Sequence, residues 1–95
     1  MPPRGFLLSI VVYMNQITVD DVTYTFIEHA ETRMARLKIS AQMVEETLLD
    51  PNDIQPSRSS SRTVYMKVLQ GRKRPLIVVV NEATQEIITA YWSEL

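Results

Sequence analysis

Residues 25–51 read TFIEHAETRMARLKISAQMVEETLLDP. Phe26, Ile27, Ala30, Met34 and Leu37 recur at helical spacing, so they predict one helix with a single buried face. Thr25, with Glu28 three residues later, has the pattern of a capping box that starts this helix. Ser40 reads as a second N-cap, and Ala41, Val44 and Leu48 mark the inner face of a second helix with Glu45 and Glu46 outside. Pro51 disfavours a helical conformation at Asp50 and closes that helix. The stretch therefore predicts two short helices in tandem.

Downstream, Asp53–Ser61 (DIQPSRSSS) has no apolar period and reads as a polar loop. Arg62–Leu69 then alternates, with Val64, Met66 and Val68 on one side and Thr63, Tyr65 and Lys67 on the other. A turn over Gln70–Arg74 leads to Leu76–Val80, apolar on both faces and so expected as a central strand. After a second turn, Glu86–Trp92 alternates again, setting Ile88, Ala90 and Trp92 against Ile87, Thr89 and Tyr91. Upstream, Ile17–Val19 and Val22–Tyr24 are β-rich triplets around Asp20-Asp21, which suits a small hairpin or a bent strand. The expectation is an α+β fold: an N-terminal strand and two short helices packed on a three-stranded antiparallel β-meander.

The chain has 95 residues, enough for one core, with 45% apolar and 22% charged residues and only two glycines. Residues 14–95 read as a single domain. Residues 1–13 read as an extension or edge strand, because Phe6–Met14 is apolar but about half as long as a membrane span. No cleavage motif of small residues follows that run, and Met14 is an alternative start. Absence of cysteine excludes disulfides, thiolate nucleophiles and thiolate-bound zinc; a reducing cytoplasm is the default. A single histidine builds no His-rich metal site. With a net charge of −1, contact with nucleic acid has to come from a local basic patch.

Such a patch follows from the helical wheel. His29, Arg33 and Arg36 share one flank of the first helix, while Glu28 and Glu31 fall on the other. An imidazole beside guanidinium groups suits cleavage of RNA by its own 2′-hydroxyl, which needs a base, an acid and cations around the phosphorane, and no metal or other cofactor. His29, as an imidazole, is a candidate base or acid, and Arg33 and Arg36 suit a bidentate phosphate clamp. Tyr65, Lys67 and Tyr91 are candidates to assist on the sheet. Arg62, Thr89 and the Arg72-Lys73-Arg74 turn are candidate nucleic-acid contacts. Each of these residues has an ordinary alternative as a solvated surface group.

The order of motifs resembles a small bacterial family described as domain of unknown function 4258. The residues that carry the resemblance are His29-Ala30, Arg33-Met34, Ile39-Ser40, Val44-Glu45-Glu46, Asp50-Pro51, Tyr65, Leu76–Val80 and Ile88-Thr89-Ala90-Tyr91, within about residues 24–92. The resemblance implies a fold similar to RelE-type toxins and barnase-like ribonucleases, some of which are metal-independent RNA-cleaving toxins paired with an antitoxin. By position, His29 and Arg33 match the family's helix motif, and Thr89 and Tyr91 its final strand. The chain departs from the pattern at Leu37-Lys38-Ile39, where the family usually has Arg-Gly-Ile. The second arginine is thereby displaced to Arg36, about 100° around the helix. Loss of the glycine requires Lys38 to take the left-handed stop itself, or a different turn.

Two functions of different class follow as expectations. One is an endoribonuclease, the toxin half of a pair, with RNA as substrate and an antitoxin as partner. The other is a non-catalytic module of the same fold that docks a protein or an RNA shape. A homodimer through the N-terminal edge strand is compatible with either.

Overall fold

A computed structural model of the protein describes residues 15–57 and 61–94. The elements are β1 (Gln16–Val19), β2 (Val22–Phe26), α1 (Glu28–Leu37), α2 (Ala41–Leu49), β3 (Asp53–Pro56), β4 (Arg62–Lys67), β5 (Leu76–Asn81) and β6 (Glu86–Trp92). The apolar run expected as an N-terminal edge strand, and any dimer through it, lie outside the described residues.

β1 and β2 form a hairpin in register Ile17↔Tyr24 and Val19↔Val22. Its two-residue turn needs positive φ at both positions, and Asp20 (51°) and Asp21 (68°) supply it. β2 does not stop at Tyr24. It runs to Phe26 because it pairs in parallel with the start of β6, Thr25↔Glu86 and Phe26↔Ile87. Thr25 and Phe26 therefore belong to the sheet, and the capping box read at Thr25 is not made. Ile27 is the N-cap of α1 and has no side-chain cap hydrogen bond. The Thr25 amide instead donates to the Gln85 carbonyl at 2.9 Å.

α1 ends as its missing glycine requires. Lys38 sits in the left-handed region (φ 61°), its amide and that of Ile39 closing back onto Ala35 and Met34. α2 begins where expected, with the Ser40 hydroxyl accepting from the Met43 amide at 3.1 Å. Its inner face differs from the expectation: Val44, Thr47 and Leu48 are buried, and Ala41 is exposed. Thr47 satisfies its buried hydroxyl by donating to the Met43 carbonyl at 2.9 Å.

The expected meander is present as β4-β5-β6 inside a larger mixed sheet of six strands, in the order β1-β2-β6-β5-β4-β3. The part of Asp53–Ser61 expected to be loop contains β3, an edge strand antiparallel to β4. All four of its residues are exposed, so it carries no apolar period to read. β5 occupies an interior position, with Leu76, Ile77, Val78 and Val80 buried. Val68, expected within the alternation of β4, lies beyond the strand and is exposed.

A β-bulge between Val79 and Val80 pairs these residues with Thr89 and Ile87 and leaves Ile88 over. The alternation of β6 is thereby reset. Ile87 joins Ala90 on the core face instead of opposing it, and both are fully buried. α2 packs over that face against β1, β4 and β5, while α1 packs on β6.

Candidate functional site

The sheet register sorts the candidate residues by face. Tyr65, Val78 and Ala90 are cross-strand neighbours, and so are Lys67, Leu76 and Trp92, which places Tyr65 and Lys67 on the core face. Val64, Val79 and Thr89 form the other set with Met66, Ile77 and Tyr91. Tyr65 and Lys67 therefore do not stand beside Thr89 and Tyr91, because adjacent strand residues alternate faces.

The core-face pair is committed elsewhere. The Tyr65 hydroxyl donates to the Glu82 carboxylate at 2.8 Å. Burial first, and then this bond, push its pKa well above the ordinary 10.0, so the phenol stays protonated and cannot act as a base near neutral pH. Burial and the Glu82 charge likewise raise Tyr24. Lys67 donates to the Asp50 main-chain oxygen at 2.7 Å and lies 3.3 Å from the Asp50 carboxylate, tying β4 to the end of α2.

The opposite face gathers a different group. β2 pairs with only the first residues of β6, so α1 lies along the rest of that strand. Ala30 and Met34 enter the core from α1, while Arg33 reaches Thr89 and Tyr91. Arg33 donates from Nη1 to the Thr89 hydroxyl at 3.3 Å, and its guanidinium carbon sits 5.0 Å from the centre of the Tyr91 ring. Its Nε is buried and has no hydrogen-bond partner among the described residues. A planar cation is thus oriented by a hydroxyl and an aromatic face.

Arg33 borders an open groove of about 570 Å³. Leu37, Val64, Ile77 and Tyr91 give it apolar walls; Arg74 and Glu94 add charge at its rim, beside Trp92 and Ser93. Of these, Leu37, Val64, Ile77 and Glu94 were not singled out in the sequence as site residues. Val64 and Ile77 read there only as strand residues, and an exposed glutamate at the end of a strand carries no signal of its own.

His29 is exposed one turn before Arg33, about 6 Å along the helix, and does not line the groove. Arg36 is exposed and is also outside it. Arg62 is exposed on the groove's face of β4, two residues from Val64. The basic turn folds toward the groove through Gly71, whose φ of 81° favours glycine. Its Arg72 guanidinium lies 4.8 Å from the centre of the Trp92 ring. Arg72, Lys73, Arg74 and Trp92 border a second hollow of about 210 Å³. Among the described residues no group of three or more His, Asp or Glu side chains is placed to hold a metal ion, and no helix is long and apolar enough to cross a membrane.

A family model described as domain of unknown function (DUF4258) matches residues 26–92. No curated protein and no solved structure matches the chain.

Proposed function

We propose, on the premise that this chain belongs to the DUF4258 family, that it grips the RNA backbone at Arg33 and cleaves it as a metal-independent endoribonuclease. The reading includes the RelE/barnase-like toxin type, in the cytoplasm, with an antitoxin as partner. The observation that carries it is the Arg33 guanidinium, fixed by Thr89 and Tyr91 with a buried Nε unpaired, in a groove that also holds Arg74. A phosphate oxygen in the groove pairs with the outer nitrogens of that guanidinium, and the second arginine adds attraction without a base-specific contact.

In the reaction the 2′-oxygen attacks phosphorus, the bond to the 5′-oxygen breaks, and a 2′,3′-cyclic phosphate is left. A base takes the 2′ proton and an acid gives one to the departing 5′-oxygen. His29 serves one of these roles on RNA that runs past Arg33 along α1, and Glu94 at the rim supplies a carboxylate for the other. Arg33 and Arg74 stabilise the charge that develops on phosphorus.

One observation favours a second reading: His29 does not line the groove. The domain is then a binding module that holds RNA without cutting it. Purified protein and its His29→Ala variant, incubated with a radiolabelled RNA in the presence of a chelator, separate the two. Cleavage by the parent with at least a hundredfold loss in the variant supports the nuclease. Equal cutting by both proteins sinks the role of His29, and binding without cutting by either leaves the module.

A further inference from the structure

We infer that the Trp92 ring is a nucleobase-stacking subsite, covered by Arg72 in the free protein, so that the groove takes single-stranded RNA with a base turned out. The inference rests on the proposal that the groove holds an RNA phosphate, and it specifies the form of that ligand.

Three observations converge. Trp92 is the last residue of β6, and its Nε1 donates to the Leu37 carbonyl at 3.1 Å, so the ring is held in one orientation from the end of α1. Trp92 and Arg74 border both the Arg33 groove and the smaller hollow under the basic turn, which makes the two spaces neighbours. The group now on the ring is the guanidinium of Arg72, an exposed side chain on a turn outside the strands.

A phosphate between Arg33 and Arg74 brings its attached nucleotide beside that ring. A base presents a larger flat surface than a guanidinium and stacks more strongly than an exposed cation on the same face. The displaced Arg72 remains at hand for the next phosphate. A duplex keeps its bases stacked on one another and cannot offer one, so the geometry selects unpaired RNA.

Trp92 is the chain's only tryptophan, so its fluorescence reports this subsite alone. The test titrates the full chain with a 2′-O-methyl uridine oligomer, which lacks the attacking hydroxyl, and with an abasic spacer oligomer of equal length and charge. Expected are quenching by the uridine oligomer, none by the abasic one, and roughly tenfold tighter binding of the uridine oligomer. Trp92→Leu should abolish that preference, read by anisotropy of labelled oligomers. Arg72→Gln removes a phosphate contact common to both oligomers, so it should weaken the two alike and keep the preference.

Equal binding of the two oligomers without quenching overturns the subsite and leaves the phosphate groove standing. Binding of neither overturns both. Loss of the preference in Arg72→Gln also overturns the subsite, because the arginine and not the ring would then read the base.

Discussion

On the core face of the sheet, Tyr65 donates to Glu82 and Lys67 to Asp50. On the opposite face Arg33 engages Thr89 and Tyr91, yet keeps a buried Nε with no partner. Both faces thus carry an aromatic hydroxyl and a cation, and they differ in whether the polar groups are satisfied. A polar group whose partners are all within the chain is explained by folding. A buried donor left open costs roughly 1–3 kcal/mol. The difference ties Tyr65 and Lys67 into the architecture and, on the proposed reading, leaves Arg33 for binding, although all three looked alike in the sequence.

The largest expected effect breaks this contrast at its functional end. Arg33→Met keeps the apolar stem and removes the guanidinium, so binding of a labelled single-stranded oligonucleotide should weaken roughly 10- to 100-fold. Its stability should stay within about 1 kcal/mol of the parent, since the open donor goes with the charge. A large loss of stability in urea unfolding, with binding intact, would reverse the two assignments.

Tyr65→Phe should do the opposite. It deletes the bond to Glu82, so unfolding should come earlier by about 1 kcal/mol while oligonucleotide binding is unchanged. It should also alter the alkaline response. The folded phenol holds its proton above the ordinary 10.0, so the folded state binds more protons than the unfolded one beyond that pH. Stability is therefore fully present below about pH 10 and falls as pH rises through the folded value. The variant should show a shallower fall in a pH series of thermal melts, with Tyr24 supplying what remains.

Lys38→Gly probes the same helix away from either face. Lys38 is left-handed at φ 61°, which suits glycine, and the exchange should stabilise the protein by about 1 kcal/mol without touching binding. The smallest effect belongs to Lys67→Met. Its ion pair with the Asp50 carboxylate, which is 85% exposed although the Lys67 side chain is only 13% exposed, is worth less than about 1 kcal/mol, and oligonucleotide affinity should not move.

Much of the fold was legible because it follows local rules. Ser40 caps α2, Pro51 closes it, Asp20-Asp21 turns the hairpin, and the doubly apolar Leu76–Val80 lies inside the sheet. The misreadings share one cause, competition from distant strands. Thr25 and Phe26 carry a helix-start pattern, but β6 offers them sheet partners more than sixty residues away. Asp53–Pro56 carries no apolar signal because β4 holds it through backbone pairing alone. At the site, the helix flank and Tyr91 were visible as residues. Arg33, Thr89 and Tyr91 stood there as candidates together with Tyr65 and Lys67. The place of Arg74 beside Arg33, and the separation of Tyr65 and Lys67 onto the other face, were not visible.

By itself the sequence determined the two helices, the three strands of the meander, their turns and the family, since periodicity, caps and turn chemistry act over a few residues. Only the tertiary structure decided which face each strand residue occupies and which cation is left with an open donor. Facing is set by register, and one bulge at Val79 and Val80 is enough to move Ile87 across the sheet. Satisfaction of a polar group depends on neighbours brought in from far along the chain, and no local pattern records them.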